Sequence, residues 1–232
     1  MSHSDSEAQV LEIKEFLAKT WKIIVAVIVI GLLAVWGWRY WQTYKAESLT
    51  EASDRYELLI SKLNINEPTS VNELVSFAKQ NDSIYSVFAS LQAAKFYVDN
   101  LKDYAGAKTL LIDASKKTDS EPVLATINIR IARLEYQLGE YDASLQSLAK
   151  VTNNNWASTV NDIRGDVLVK MEQYSQACSA YEVALASNPT ADLEKNIKIK
   201  LNQAEYLKAA QLLAKEKETK ELAEKAATTT QQ

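Results

Sequence analysis

The stretch YSQACSAYEVALASNP, Tyr174–Pro189, decides the fold of this chain. Within it, Ala177 and Tyr181 are four residues apart and therefore share one face of a helix, while Gly165 stands nine residues before Tyr174. Two antiparallel helices approach closely only where a small residue faces a large one. The stretch therefore predicts a helical hairpin in which Gly165 and Ala177 mark the close crossing, while Tyr174 and Tyr181 fill the space between hairpins.

The same pattern occurs twice more upstream. Tyr141 lies 33 residues before Tyr174, and Tyr104 lies 37 residues before Tyr141. A period of about 34 residues with this order of small and large positions is typical of the tetratricopeptide repeat (TPR), which is a pair of antiparallel helices. The copy that contains Tyr174 fits the TPR pattern at every key position after the first, and the other two fit it in part. We therefore expect an all-α chain with a TPR-like helical-repeat solenoid.

The two upstream copies depart from the pattern at identifiable positions. In the copy around Tyr141, Ser144 and Val151 stand where the repeat prefers alanine. In the copy around Tyr104, Lys95 stands where a small residue belongs. The register of that first copy is therefore open by one or two residues.

Composition agrees with an all-helical chain and excludes most kinds of catalytic site. Glycine and proline number only 5 and 3, which argues against sheets joined by tight turns. His3 is the only histidine and Cys178 the only cysteine, so a catalytic triad, a His/Cys metal site and an internal disulfide are excluded. A site built only from carboxylates or lysine stays open, but we expect no enzyme activity, no cofactor and no small-molecule substrate. The net charge of −4 leaves no basic stripe for nucleic acid.

An apolar run near the N-terminus predicts a transmembrane helix. Ile23–Trp38, IIVAVIVIGLLAVWGW, contains no charged residue, and its Ile, Val and Leu residues favour insertion by roughly 3–6 kcal/mol. The run is slightly shorter than a hydrocarbon core of about 30 Å, so aromatic and basic side chains at both ends are expected to complete the span. The expected membrane-interface residues are Trp21, Lys22, Trp36, Trp38, Arg39, Tyr40 and Trp41.

The sequence also bears on whether this helix is cleaved, how it is oriented and where it begins. A cleavable signal peptide needs small residues at the end of the apolar run, but Trp36 interrupts the best candidate site, so we expect an uncleaved helix. Three basic residues precede the span and three follow it at similar distances, so the positive-inside rule does not decide the orientation. A short N-terminus before a long C-terminal domain favours a cytoplasmic N-terminus. The segment before the span either lies along the membrane interface or forms the first turns of one long helix.

The rest of the chain is expected to be a helical domain with a short tail. Ser70 and Glu73 are expected to form a capping box at a helix start, and a long helical pattern from Thr190 to about Lys225 is expected to cap the last repeat. The expected segments are a cytoplasmic N-terminus at 1–22, a transmembrane helix at 23–41, a TPR-like domain at 42–225 and a disordered tail at 226–232.

The chain resembles a known family over its whole length. A short acidic N-terminus, a Trp-rich exit from the span (WGWRYWQTYK, Trp36–Lys45) and the TPR-like domain together are similar to the YfgM-like bacterial inner-membrane proteins, ancillary subunits of the Sec translocon. The TPR pattern alone is not specific, because unrelated scaffolds share it. The resemblance implies a cytoplasmic N-terminus and periplasmic repeats. It also implies association with the SecYEG channel and the membrane-anchored periplasmic chaperone PpiD, and a role in handling newly translocated proteins.

TPR arrays commonly bind partners in the groove that the first helix of each hairpin lines. The inward positions expected here are Thr126, Ile129, Arg133 and Tyr136 in one repeat, and Thr159, Asp162, Asp166 and Val169 in the next. Two acids opposite one arginine do not form the Lys/Asn clamp that some TPR domains use for a C-terminal carboxylate. An amphipathic or basic segment is the expected ligand, with Tyr136 as its main contact because aromatic anchors dominate many interfaces. Alternatively, the partner contacts the outer face or the anchor and leaves this groove solvated.

The sequence therefore favours a non-enzymatic adaptor, held in the lipid bilayer by its anchor, that links protein export at the SecYEG translocon to periplasmic chaperones. Two other functions stay open. One is a direct holdase chaperone whose groove binds unfolded clients, and the other is a cytosol-facing TPR scaffold for another membrane complex.

Overall fold

The computed structural model describes residues 3–229, and every regular element in that range is helical. The α-helices of this range are α1 (His3–Ser61), α2 (Asn72–Gln80), α3 (Ile84–Phe96), α4 (Tyr104–Ser115), α5 (Glu121–Gln137), α6 (Tyr141–Ala149), α7 (Ala157–Lys170), α8 (Tyr174–Ala186) and α9 (Ala191–Thr229). Short 3₁₀ turns at Pro68–Val71 and Asn154–Trp156 and a π-helical segment at Tyr97–Leu101 join them. The predicted all-α fold is confirmed. The chain divides into two compact units, Met1–Arg55 and Tyr56–Gln232.

The first unit lies in α1, which contains the predicted membrane span. Within Ala18–Ser61 the most apolar window has a mean hydropathy of 2.2 and none of it is buried. In the described range this is the single helix that is long and apolar enough to cross a membrane. Apolar side chains such as Ile30 and Leu32 are 66% and 65% exposed, which suits a bilayer and not water. The helix is continuous from His3, so the segment before the span forms the first turns of one long helix.

Aromatic side chains contact one another where the apolar run ends. The ring centres of Trp36 and Tyr40 are 6.3 Å apart, and those of Trp38 and Trp41 are 5.7 Å apart. Lys45 Nζ lies 3.8 Å from the ring centre of Trp41. Tryptophan and tyrosine prefer the headgroup level of a membrane. The assignment of these residues to the membrane interface agrees with this arrangement and stays a prediction.

The second unit is built from helices that pack in chain order. From α2 to α9, each helix packs against the next. In addition, α5 contacts α7 and α7 contacts α9, so the first helices of successive hairpins form a common inner layer. At the start of this unit Tyr56 packs against Tyr85 and Phe88 of α3, with ring centres 5.8 and 6.5 Å apart. This sequential packing is the arrangement expected of helical repeats.

The hairpin turns share one backbone conformation. Lys102 (φ 55°), Gly139 (φ 78°) and Glu172 (φ 59°) are left-handed, and each lies two residues before the tyrosine of its repeat. After α5 the Glu140 amide donates to the Glu135 carbonyl oxygen at 2.8 Å, and the turn after α7 has the equivalent bond. A left-handed residue with such a bond is the Schellman motif, which satisfies the last carbonyl groups of a helix.

The π-helical segment Tyr97–Leu101 decides the register of the first repeat. Its wider turn adds one residue, and the Asp103 amide donates to the Tyr97 carbonyl oxygen, six residues back, at 3.0 Å. Ala94 is 3% exposed and takes the small-residue position, while Lys95 turns outward. The sequence pattern pointed to Lys95 because counting residues assumes a regular α-helix, which a π-turn interrupts.

The close crossing predicted between α7 and α8 is present. A Cβ atom added to Gly165 would lie 2.3 Å from the Tyr181 ring, so the ring lies directly on the glycine backbone. Tyr181 therefore packs against Gly165 within its own hairpin, and it also shares a core cluster with Ile197 and Ala204 of α9, the helix that follows the hairpin. In the preceding hairpin the Ser144 hydroxyl donates to the Ala132 carbonyl oxygen at 2.7 Å. Serine can replace the preferred alanine there because its only polar group is satisfied.

Ser70 and Glu73 do not form the predicted capping box. The Ser70 hydroxyl accepts from the Asn64 amide at 3.0 Å and donates to the Asn64 carbonyl oxygen at 3.2 Å. The Glu73 carboxylate instead pairs with Lys62 at 3.1 Å. Because a 3₁₀ turn at Pro68–Val71 precedes α2, Ser70 lies before the helix start and holds the connecting segment.

One face of α9 covers the last hairpin, as predicted for a capping helix. Ile197 and Ala204 are fully buried in a cluster with residues of α8. Further along, the Gln211 side chain donates to the Glu172 carbonyl oxygen at 3.2 Å, which ties α9 to the turn between α7 and α8.

Part of the predicted C-terminal tail, 226–232, lies within the described residues. Residues 226–229 are the last residues of α9 and are helical. Alanine-rich sequence without glycine or proline favours continuation of a helix. The remainder of the predicted tail, residues 230–232, lies outside the described residues. The other domain boundaries stay predictions.

Candidate partner-binding groove

Two adjoining cavities lie along the inner layer of first helices. We call the first the carboxylate cavity; it has a volume of about 450 Å³ and is lined by Tyr104, Arg133, Tyr136, Asp162, Asp166 and Lys200, among others. We call the second the arginine cavity; it has a volume of about 320 Å³ and is lined by Ala94, Lys95, Asp99, Leu111, Arg130 and Arg133, among others. Because both cavities share Val98, Arg133 and Leu134, they form one continuous groove.

Four of the eight predicted partner-binding residues line this groove together. Arg133 and Tyr136 come from α5, and Asp162 and Asp166 come from α7. The Tyr136 ring contacts the Tyr141 ring, with centres 6.1 Å apart, which holds the tyrosine at the groove wall. The structure thus brings these four side chains together, and their role in binding a partner stays a prediction.

The other four predicted residues do not line either cavity. Ile129 is 5% exposed and belongs to a core cluster with Ala132 and Leu148. Val169 packs against the cluster between α8 and α9. Thr126 donates its hydroxyl to the Pro122 carbonyl oxygen at 3.0 Å within its own helix, and Thr159 is half-buried. α5 is turned so that Ile129 faces the core, which makes it unsuitable as a contact for a partner.

Lys200 of α9 is a groove residue that sequence reasoning missed. Its ammonium group donates to Asp162 at 2.8 Å and to Asp166 at 2.7 Å. The Tyr181 hydroxyl donates to the other oxygen of Asp166 at 2.8 Å. These bonds join α7, α8 and α9 through one cluster of side chains.

The repeat period contained a signal that points to Lys200. It lies 34 residues after Asp166, one TPR period further along the chain. Extending the repeat into α9 places Lys200 where Asp166 stands in α7. The apolar periodicity of α9 predicts only a capping face, and it does not indicate the polar position of Lys200.

The environment of this cluster shifts the pKa of three groups. Burial raises the pKa of Asp162, and the bond to Lys200 opposes that shift without cancelling it. Burial lowers the pKa of Lys200, but its hydrogen bonds to Asp162 and Asp166 outweigh burial, and the net shift is upward. Burial and then the charge of Asp166 raise the pKa of Tyr181. The ammonium group and the phenol therefore both stay protonated as donors to the carboxylates.

This pairing changes the expected charge preference of the groove. The prediction of a basic ligand assumed that Asp162 and Asp166 face only Arg133. Lys200 donates a hydrogen bond to each carboxylate, so both acids have a partner within the chain and the pair carries one net negative charge less than the sequence suggests. An incoming lysine would have to displace Lys200, and a basic segment loses its electrostatic advantage.

The described residues offer no arrangement suited to metal binding, since no three His, Cys, Asp or Glu side chains among them come together. Cys178 is buried in the cluster between α8 and α9, and burial raises the pKa of its thiol. A buried thiol with a raised pKa behaves as a small core residue.

Comparisons with known proteins agree with the helical-repeat architecture. The family profile described as a tetratricopeptide repeat-like domain matches residues 14–206. It therefore covers most of α1 as well as the hairpins that form the groove.

Similar proteins share one description. A protein of Escherichia coli (strain K12), named as an ancillary SecYEG translocon subunit, is 30% identical over 86% of this chain and 97% of its own length. Proteins with the same name are 28% identical in Haemophilus influenzae, over 85% of this chain and 97% of their own, and 24% identical in Neisseria gonorrhoeae, over 81% and 91%. Translocon-associated relatives and one apolar N-terminal helix indicate anchoring in the inner membrane. The chain thus belongs to the family of ancillary SecYEG translocon subunits, with a TPR-like domain.

Proposed function

We propose that this chain is a non-enzymatic adaptor of the SecYEG translocon that links protein export to periplasmic chaperones. The observation that carries the proposal is the similarity to an ancillary SecYEG translocon subunit over 86% of the chain. Such subunits with a TPR-like domain are a non-enzymatic kind of protein. A groove that joins the first helices of successive hairpins gives the adaptor a surface on which a second protein can bind.

In this proposal α1 crosses the inner membrane with its N-terminus in the cytoplasm, and the helical domain lies in the periplasm. The exposed apolar surface of α1 supports insertion in a bilayer. The family resemblance supports this orientation. The membrane-anchored chaperone PpiD is the partner that the family resemblance suggests.

Purification of the tagged full-length chain from membranes in mild detergent tests the proposal. We expect SecYEG subunits and PpiD to be enriched together, as measured by quantitative mass spectrometry. The matched control is an unrelated single-span protein with the same tag and expression level. Equal recovery of SecYEG with both baits would contradict the adaptor function, and suppression of client aggregation by the purified chain alone would favour a direct holdase instead.

We further propose that Tyr136 contributes to partner binding in the groove. Tyr136→Ala removes a half-buried ring from the wall while leaving the cluster around Lys200 intact. We expect recovery of a groove-bound partner to fall at least several-fold, because truncation of an aromatic hot-spot residue costs about 2 kcal/mol or more, which is roughly thirtyfold in affinity. Tyr206→Ala is the matched control, since Tyr206 is 73% exposed on α9 outside the groove lining. Full partner recovery from a correctly folded Tyr136→Ala variant would exclude this role. Asp162→Arg is a poor test, because it would break the bond to Lys200.

A further inference from the structure

Two arginines that line the groove, Arg130 and Arg133, form no ion pair with any described residue. Lys95 pairs with Asp99, and Lys200 pairs with both carboxylates of the carboxylate cavity. Within the described part of the chain, Arg130 and Arg133 form neither a hydrogen bond nor an ion pair through their side chains, although Arg133 lies close enough to Asp162 to influence its pKa. Both arginines are exposed.

The position of the two arginines makes them a paired recognition element. They are three residues apart on α5, so their side chains are neighbours on one face of the helix, about 5–6 Å apart at Cβ. Both line the arginine cavity. An incoming segment with two carboxylates one helical turn apart matches this spacing.

The floor of the arginine cavity is apolar. Ala94, Leu111 and Leu134 are buried, and Val98 completes the floor from the π-helical segment. An apolar side chain placed there loses contact with water, while carboxylates on the same segment remain at the rim beside the arginines. Arginine binds carboxylates through two parallel hydrogen bonds, which gives geometric selectivity as well as charge attraction.

The two arginines lie in a chain that is acidic overall. The whole chain has 26 basic and 30 acidic residues, so two unpaired arginines are not a consequence of a basic composition. A net charge of −4 repels an acidic partner at long range. Recognition of such a partner therefore depends on short-range contact with Arg130 and Arg133, and it should weaken as salt is added.

We propose that the arginine cavity binds an acidic amphipathic helix of a partner protein, with its apolar side chains on the cavity floor and two carboxylates on Arg130 and Arg133. This inference rests on the proposed adaptor function, because it specifies the chemistry of the segment that the groove receives. It replaces the basic ligand expected from the sequence.

Fluorescence anisotropy with the full-length chain in detergent micelles tests this proposal. The probes are three labelled amphipathic peptides that share one apolar face and carry glutamate, glutamine or lysine at two polar-face positions one turn apart. We expect the glutamate peptide to bind at least tenfold more tightly than the lysine peptide. We expect Arg130→Glu combined with Arg133→Glu to reverse that order, and Arg130→Gln combined with Arg133→Gln to abolish it.

The matched control is Arg164→Glu, since Arg164 lies outside the lining of both cavities and donates to Asn161 in its own helix. This variant should keep the preference for the glutamate peptide. Equal binding of all three peptides, absence of binding, or a glutamate preference that survives removal of both arginines would overturn the inference. Co-purification of SecYEG with the same variants is measured in parallel. If SecYEG still co-purifies with the chain while the peptide preference is absent, the result contradicts only the acidic ligand and agrees with the adaptor function.

Discussion

Tyr181 joins two kinds of interaction in one side chain. Its ring covers the backbone of Gly165, and its hydroxyl donates to Asp166 at 2.8 Å. Asp166 in turn accepts from Lys200 of α9. Packing at the α7–α8 crossing and the polar cluster at the groove are therefore coupled through a single residue, so a change at either place should be detectable at the other.

Gly165→Ala should destabilise the helical domain although alanine favours helices. The helix preference gains about 1 kcal/mol, but the added methyl group would lie 2.3 Å from the Tyr181 ring. Overpacking of a core costs roughly 1–3 kcal/mol, so we expect a net loss of up to about 2 kcal/mol in chemical denaturation followed by circular dichroism. Combination with Tyr181→Leu should cost less than the sum of the single changes, because the smaller side chain leaves room for the methyl group. A gain of about 1 kcal/mol, the full helix preference of alanine, would show that the crossing is not close-packed.

Lys200→Met should leave Asp162 buried without its donor. Leaving such a group unsatisfied costs about 1–3 kcal/mol. Lys198→Met is the matched control, because Lys198 forms an exposed pair with Glu194 on the same helix, and its loss should change stability by about 0.5 kcal/mol or less.

The cost of Lys200→Met should also decrease in acid. Burial already raises the pKa of Asp162, and removing Lys200 takes away the contribution that opposes this shift. Because the folded-state pKa then lies further above the unfolded value, the folded variant binds the proton more tightly, and its stability rises as pH falls through that range. Arg133 and Asp166 face the same carboxylate and act in opposite directions on it. Denaturation at about pH 7 and about pH 5 should show the gap to the unmodified chain narrowing. A gap that stays constant or widens would contradict this account of the cluster.

At the scale of elements, the hairpin turns are under backbone strain at two non-glycine positions. Lys102 and Glu172 occupy the left-handed conformation that Gly139 adopts in the middle hairpin. A left-handed residue with a side chain costs roughly 1–2 kcal/mol relative to its preferred conformation. The repeats thus tolerate strain where the Schellman bonds hold the turn.

Glu172→Gly should consequently stabilise the protein. We expect a gain of about 0.5–1 kcal/mol, since glycine adopts the left-handed conformation without strain but loses more freedom on folding. Glu182→Gly is the matched control: Glu182 is exposed within α8, where the same substitution should cost about 1 kcal/mol. The two substitutions are compared by urea denaturation of the full-length chain. The same sign for both would refute the assignment of strain to this turn.

Local spacing explains which elements the sequence could predict. The hairpins α5–α6 and α7–α8 follow from small and large residues at fixed separations, because these residues determine how closely their own helices pack. The π-turn before Asp103 could not be predicted in this way, since one extra residue in a helix is selected by tertiary packing. The role of Ser70 also escaped prediction, because its hydroxyl had competing partners and the backbone of Asn64 satisfies it.

At the scale of the whole molecule, the groove could be predicted only in part. Arg133, Tyr136, Asp162 and Asp166 follow from the repeat register, and they do line one cavity. Its charge balance depends on Lys200, which reaches the acids from a different helix 34 residues later. A repeat pattern identifies positions within a hairpin, but pairing across helices requires the three-dimensional arrangement. The proposed acidic ligand rests on that pairing, because it leaves Arg130 and Arg133 of α5 as the charged groups of the groove without an ion pair in the described part of the chain.

The basic residues of the sequence do not determine the orientation of the chain in the membrane. Three basic residues lie on each side of the span, so the proposed periplasmic domain rests on the family resemblance and stays a prediction. Protease added to spheroplasts should digest the domain after α1 while cytosolic proteins stay intact. Protection of the domain until the membrane is lysed would instead favour a cytosolic scaffold.

Because the charges are balanced, replacing Lys14, Lys19 and Lys22 with glutamine should move a measurable fraction of the chains to the protected orientation. The same replacement of three lysines far from the span, Lys150, Lys170 and Lys195, should leave all of the chains accessible, since basic residues direct orientation only near the membrane.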